Sequence, residues 1–257
     1  MVDGEHADQF SAREDDRENQ FGEVWTQELD DVFSDVARYY DRANNVATLG
    51  LLNWLRDRFV SGVELRSGQK VLDVCAGTNA IGMALLQKQP DLEVSAIDRS
   101  EAMQEVGRAS AAQLGIKIES IIGDVHKLPF PDNHFDIVTL QYASRHLRIL
   151  DVAREIKRVL KPGGHFYHFD MLRPGNKMVE GVYYSYLWAT LRFTSWLFDS
   201  NSASLNCQNY FINTLRMFYS ADELTQLLSH LGYRDITGKS LLGGTVGVHK
   251  AVKGPDL

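Results

Sequence analysis

Between residues 21 and 59 apolar side chains recur at helical spacing: Val24, Leu29, Val32, Phe33, Val36 and Tyr40 in one run, then Leu51, Leu52, Trp54, Leu55 and Phe59. The pattern predicts two helices, with the polar stretch 41–45 as a loop between them. At Lys70 the period changes. Residues 70–75 form a short apolar run ended by Ala76-Gly77-Thr78-Asn79, which predicts a buried strand closed by a tight turn. Similar runs follow at 93–97, 118–122, 135–140 and 165–169, with helical patterns at 80–89, 100–114 and 149–160 between most of them. This alternation predicts an α/β fold built on a doubly wound, mostly parallel sheet.

The two flanks behave differently. Residues 1–20 show almost no apolar periodicity and read as an acidic flexible tail, leaving 21–257 as one domain. After Asp170 the alternation stops, and the aromatic-rich segment 176–218 predicts a helical lid insertion over the sheet edge. A helix at 220–231 and strands near 234–237 and 244–250 complete the pattern.

Composition narrows the class. The chain has 257 residues, 44% hydrophobic and 24% charged, a balance that excludes wholesale disorder and a fibrous repeat. Net charge is −7, but residues 1–20 hold seven acids against Arg13 and Arg17, so the body is nearly neutral. That argues against a nucleic-acid partner, which needs a basic surface. Two cysteines, Cys75 and Cys207, are too few for a disulfide framework or a zinc cluster, and the histidines lack metal-ligand spacing, so no metal is expected. Neither a signal-peptide pattern nor a charge-free run of about 18 residues is present, and the chain reads as cytoplasmic.

The chemistry gathers at strand ends. In a doubly wound sheet, ligands bind at the carboxyl ends of the strands where the chain order reverses. Asp73-x3-Gly77 closes the first strand, and Gly77 lets the backbone approach a ligand without a Cβ in the way. The turn lacks G-x-G-x-x-G, which favours a nucleoside without a pyrophosphate. Asp98 ends the second strand, where an acid can accept both ribose hydroxyls. Asp124 ends the third, placed to accept from an adenine amino group. Cys75 reads as a small buried residue next to this turn.

These residues resemble a known family. Lys70-Val-Leu-Asp-Val-Cys-Ala-Gly-Thr78, Ala96-Ile-Asp98-Arg-Ser, Leu128-Pro-Phe-Pro-Asp132 and Arg158-Val-Leu-Lys-Pro-Gly-Gly164 are similar to class I S-adenosylmethionine-dependent methyltransferases. Phe33-Ser-Asp-Val-Ala37-x2-Tyr40-Asp41, Arg145 and Gly243-Gly-Thr-Val-Gly-Val-His249 narrow the likeness to the ubiquinone/menaquinone C-methyltransferases. The resemblance implies S-adenosyl-L-methionine as cofactor, contacted by Thr78, Asp98, Asp124, Val125 and Gln141, beside the Asp73 and Gly77 of the turn read above as ligand-binding. It implies an aromatic, prenylated quinol as acceptor. Arg145 would stabilise the acceptor's phenolate, and His146, titrating near neutrality, would take a proton. Tyr40 and Asp41, in the inter-helix loop, would close over both ligands. The chain departs from the family pattern at Asn79 and Ala80, where a glycine and an acid are usual, at Gln141 for a serine, and at His146 for an asparagine.

The aromatic stretch 182–198 admits three readings: lid core, the wall of a prenyl tunnel, or a face resting on a membrane. The sequence leaves open another acceptor or transferred group, a non-catalytic cofactor- or lipid-binding module, and the oligomeric state.

Overall fold

The structure is a computed structural model, and it describes residues 2–197 and 208–255. Seven strands form one sheet in the order β3-β2-β1-β4-β5-β7-β6. They are β1 (Lys70–Val74), β2 (Glu93–Asp98), β3 (Glu119–Ile122), β4 (Phe135–Gln141), β5 (Leu160–Met171), β6 (Tyr233–Leu241) and β7 (Val246–Lys253). The first five run parallel, and β7 pairs antiparallel with both β5 and β6. The expected mostly parallel α/β sheet is what the chain forms. Its order reverses between β1 and β4, which opens a crevice beyond their carboxyl ends. The expected turn at 162–164 lies within β5, taken up by a register shift against β4.

Four helices precede the sheet: α1 (Val2–Glu23), α2 (Leu29–Val36), α3 (Tyr40–Ala47) and α4 (Leu52–Gly62), with a π-helical segment, Val24–Glu28, between the first two. Helices α5 (Ala80–Lys88), α6 (Glu101–Gln113) and α7 (Ile149–Val159) connect strands. The insertion supplies α8 (Lys177–Leu197) and α9 (Gln208–Met217), and α10 (Ala221–His230) leads into β6. Helices α7 and α10 cover one sheet face through Leu150, Ile156, Leu224 and Leu227. Helices α4 and α5 cover the other through Phe59, Ile81 and Leu85. Phe21, Trp25, Leu29 and Tyr210 join the N-terminal helices to α9, so helices from both flanks form one cap over the crevice.

Two expectations are corrected here. The stretch 41–45 is not a loop but the body of α3. Its polarity marks partial exposure rather than a break, and the chain turns later, at Thr48–Leu51, where Gly50 takes φ +83°. The segment 1–20 is no flexible tail either. Buried positions in α1 fall at Phe10, Glu14, Arg17 and Phe21, a helical stripe in which two of four members are charged. A search for apolar periodicity passes over such a stripe. Cys207 lies outside the described residues.

Candidate active site

The turn after β1 shows why this sequence departs from a glycine pair without losing the fold. Asn79 caps α5 in the left-handed region (φ 59°, ψ 21°), a conformation that only glycine and asparagine or aspartate adopt readily. Its buried side chain accepts from Gln104 Nε2 at 2.9 Å, and the same amide nitrogen reaches the Gly77 carbonyl. Asparagine thus supplies the dihedral and also ties α6 to the turn. Gly77 itself has φ +52°, and a Cβ there would lie 3.3 Å from Met103 Cε.

Asp98 organises the same turn from β2. Its Oδ2 accepts the Gly77 N–H and its Oδ1 the Ser100 N–H, each at 2.8 Å. Burial raises its pKa, and these two bonds oppose the rise. Asp73, buried beneath the turn, accepts from the Thr139 hydroxyl at 2.7 Å. Burial pushes it up to about 7, with the Thr139 bond again opposing, so it keeps a large share of its proton near neutrality. Asp124 is exposed. Its partial burial acts upwards, but bonds from the His126 backbone and ring outweigh it and lower the pKa.

A cavity of about 760 Å³ sits over these strand ends, a size suited to a small organic ligand. Asp73, Gly77, Thr78, Asp98, Asp124, Val125 and Gln141 all line it, as do Tyr40, Asp41 and His146. The Thr78 hydroxyl donates to Asp41 Oδ2 at 3.1 Å, and Arg56 pairs with Asp41 Oδ1, which fastens α3 to the turn. Three residues that line this space each hold a buried nitrogen without a partner: Gln141 Nε2, His146 Nε2 and Trp25 Nε1. Its walls are rich in carboxylates, including Asp30, Asp41, Asp73, Asp98 and Asp124. Such a lining suits a cationic ligand with hydrogen-bonding groups.

A second cavity, also about 760 Å³, lies between α2, α3 and the lid helices α8 and α9. Its walls are mostly apolar side chains and tyrosines, with a few uncharged polar residues such as Asn44 and Thr190, and Arg145 is the one charged residue among the described ones that line it. The two cavities share Phe33, Tyr40, Asn44 and Tyr142. Of the expected site residues, only Tyr40 therefore lines the same cavity as Arg145; the rest lie on the other side of that partition. Tyr142 and Tyr183 line this cavity; their hydroxyl oxygens are buried without partners, and burial raises both phenol pKa values. They remain hydrogen-bond donors at neutral pH.

Arg145 is held on several sides. Its Nη1 reaches Asp170 Oδ1 at 3.3 Å and the Tyr142 carbonyl at 3.1 Å, and its guanidinium lies 5.6 Å from the Phe211 ring centre. Asp170 also accepts the backbone N–H of Ser144 and of Met171, each at 2.7 Å. Below it, the Ser144 hydroxyl contacts His168 Nε2, His168 Nδ1 contacts His249 Nδ1, and His249 Nε2 meets the Ala221 carbonyl. A carbonyl only accepts, so His249 carries its proton on Nε2. His168 then donates from Nδ1, and Ser144 donates to His168 Nε2.

His146 differs from its expectation of titrating near neutrality. Burial first, then the charges of Arg145 and Arg17, push it well below the ordinary histidine value, so the ring is neutral. Its Nδ1 contacts the Tyr210 hydroxyl at 2.5 Å, and the two rings stack.

Tyr142 and Trp25 were not singled out from the sequence, and Tyr183 only as part of the aromatic stretch 182–198. Isolated aromatics carry no motif. For Tyr142 the signal is conformational: with Cys75 and Asn79 it is one of three non-glycine residues just past the carboxyl ends of β1 and β4 with positive φ. Strained backbone of this kind collects at functional sites.

A doubly wound sheet with a reversed last strand, a single-glycine turn and an acid-rich cavity at its switch point defines a nucleoside-binding methyltransferase fold. An S-adenosylmethionine-dependent methyltransferase from Aquifex aeolicus shares it, with a TM-score of 0.54 at 21% identity over 76% of this chain and 88% of that one. Residues 22–253 match the model of the ubiE/COQ5 methyltransferase family, and the chain belongs to that family. It is 34% identical over 229 residues to the ubiquinone/menaquinone biosynthesis C-methyltransferase UbiE of Pseudomonas entomophila, covering 87% of this chain and 88% of the relative. To the protein of the same name from Burkholderia multivorans it is 32% identical, over 86% and 90% of the two chains. The protein is an enzyme, an S-adenosylmethionine-dependent methyltransferase.

Proposed function

We propose that this chain methylates a ring carbon of a reduced quinone bearing an apolar side chain, with the ring in the second cavity against Arg145. The observation that carries this reading is one cationic group in an otherwise uncharged, largely apolar cavity, which adjoins an acid-rich cavity across four shared residues.

The residues lining the first cavity fit the cofactor. Asp98 would accept from the ribose hydroxyls, Asp124 and Val125 would border the base, and Gly77, Thr78 and Gln141 would hold the remainder around Asp73. Bound there, S-adenosylmethionine supplies an electrophilic methyl group on a sulfonium. Arg145 favours the ionised form of the acceptor phenol, which makes the neighbouring ring carbon nucleophilic. Tyr142 and Tyr183 donate to the ring oxygens and orient the ring. Phe33 and Tyr40 form the partition across which the methyl group passes, and the cap excludes water. When the new carbon–carbon bond forms and the carbon–sulfur bond breaks, the ring carbon still carries its proton. That proton is strongly acidic because its loss restores aromaticity, so neutral His146, a weak base on the cofactor side of the partition beside Phe33, would accept it at Nε2.

The test is purified protein with labelled-methyl cofactor and two acceptors, a reduced 1,4-benzoquinol and a reduced 1,4-naphthoquinol, each with a short isoprenoid chain and an open ring carbon. Ring-methylated product is expected from at least one. Label on an oxygen or nitrogen, or cofactor binding without turnover on both, would sink the proposal.

The mouth of the second cavity points to how so apolar an acceptor arrives. Leu49, Leu51, Met178, Val182 and Leu242 line the cavity yet are themselves exposed, and Trp188, Phe193 and Trp196 continue the exposed apolar surface along α8. Among the described residues no helix is long and apolar enough to cross a membrane. We propose that this rim rests on the lipid surface, so the acceptor passes from bilayer to cavity without crossing water. The protein is expected to float with phosphatidylcholine/phosphatidylglycerol vesicles, and Met178→Ser with Trp196→Ser to abolish this. Flotation equal to that of a vesicle-free control would reject the contact.

A further inference from the structure

We infer that Arg17, on α1 and outside the stretch that matches the family, is a positioning residue for methyl transfer: it sets the backbone of the short segment that carries Arg145. The inference rests on the reading of Arg145 as the acceptor-side cation.

Arg17 is fully buried, as is Glu14. Its Nη2 donates to the Arg145 carbonyl at 2.9 Å, and its Nη1 pairs with Glu14 Oε1 at 2.6 Å. The Tyr219 hydroxyl donates to the same Glu14 oxygen at 2.9 Å. The guanidinium lies 4.9 Å from the Phe218 ring centre and 5.3 Å from that of Trp25. Two atoms of the pair, Arg17 Nε and Glu14 Oε2, have no hydrogen-bond partner.

As a source of stability this arrangement is poor. Desolvating two charges is costly, and well-packed apolar residues of similar volume often replace a buried pair with no loss. What the pair accomplishes is geometric. Ser144–His146 is a single 3-10 turn with no length of helix to hold it. Asp170 grips it at the Ser144 N–H. From the other side, α1 reaches it through Arg17 and holds the adjoining Arg148 through Asp15 and Glu18. A planar guanidinium keeps both of its bonds in fixed relative directions, so moving Arg145's backbone breaks one of them. Glu18 and Gly22 of the same helix line the first cavity. One rigid element therefore sets the acceptor-side cation while forming part of the cofactor-side wall.

The experiment uses the full chain with the benzoquinol and naphthoquinol acceptors. The double variant Glu14→Leu, Arg17→Met removes both charges together, so net charge and approximate volume are kept. It is expected to stay folded and keep its cofactor Kd, with Tm lowered by no more than a few degrees for the Tyr219 hydroxyl and Arg145 carbonyl left without these partners. Its kcat is expected to fall by about 10-fold or more, since a misplacement of about 1 Å can cost on the order of 100-fold. Turnover rises with pH as the acceptor phenol ionises. The midpoint of that rise should move to higher pH in the double variant, in the direction that Arg145→Ala moves it. A merely structural pair would leave this midpoint in place. A folded double variant with normal kcat and an unmoved profile overturns the inference. Should that variant fail to fold, Arg17→Lys keeps the charge without the planar fork; lowered kcat with the shifted midpoint supports the inference, and normal values overturn it. Normal turnover in Arg145→Ala would overturn the underlying reading instead, and is scored on its own.

Discussion

Replacing Arg145 by alanine is expected to lower kcat by about 100- to 1,000-fold, the usual loss on removing one preorganised electrostatic stabiliser, and to leave cofactor Kd unchanged. The split follows from the partition. Arg145 lines only the second cavity, so it has no route to the cofactor except through its neighbours. Its removal also leaves Asp170 buried without its cation. That carboxyl keeps the N–H groups of Ser144 and Met171 as donors, and its pKa already stands raised by burial, so it takes up a proton. Arg145→Lys tests the geometry: the charge stays, but the planar group that stacks near Phe211 and places Nη1 on both Asp170 and the Tyr142 carbonyl is lost. Its kcat should fall between wild type and alanine. His146→Phe gives the contrast, keeping the ring and removing the acceptor nitrogen. Slower proton loss should appear as a larger kinetic isotope effect on a ring-deuterated acceptor, with the ionisation midpoint unmoved. If Arg145→Ala turns over normally, Arg145 serves only as the partner of Asp170.

The second large effect is at Asp98. Asp98→Ala should weaken cofactor binding by about 100-fold or more, since hydrogen bonds to a charged group are worth about 1.5–3 kcal/mol each. The turn suffers as well. Gly77 and Ser100 both donate to this carboxylate, and each buried N–H left without an acceptor costs about 1–3 kcal/mol. Tm should therefore drop by several degrees in the apoprotein. Asp98→Asn retains one acceptor oxygen and should be intermediate in both measurements. Calorimetry showing unchanged affinity in Asp98→Ala would remove Asp98 from the cofactor site, whatever happens to Tm.

The parts legible in the sequence are those governed by local rules. Strand ends carrying Asp73, Asp98 and Asp124 could be placed because short apolar runs ended by an acid or a turn are read within a dozen residues. Long-range packing was less legible. The second cavity combines α2, α3, α8 and α9, and no local pattern says that Arg145 would be alone there among uncharged walls. The neutral state of His146 depends on burial and on Arg17, 129 positions earlier in the chain, so its sequence neighbours suggested an ordinary titration. Asn79 looked like a departure because the pattern names glycine. The conformation asks only for a residue at ease with positive φ.

Helix α1 has a practical bearing on how this protein is cut. The likeness to the family begins at residue 22, which invites a shortened chain starting there. Such a truncation would remove Arg13, Glu14, Asp15, Arg17 and Glu18 together. Those side chains reach Glu223, Tyr219, Arg148 and the Arg145 carbonyl, contacts on two separate segments of the catalytic domain. The boundary drawn by ancestry and the boundary drawn by packing are some 20 residues apart, and the acidic segment belongs to the enzyme by the second measure.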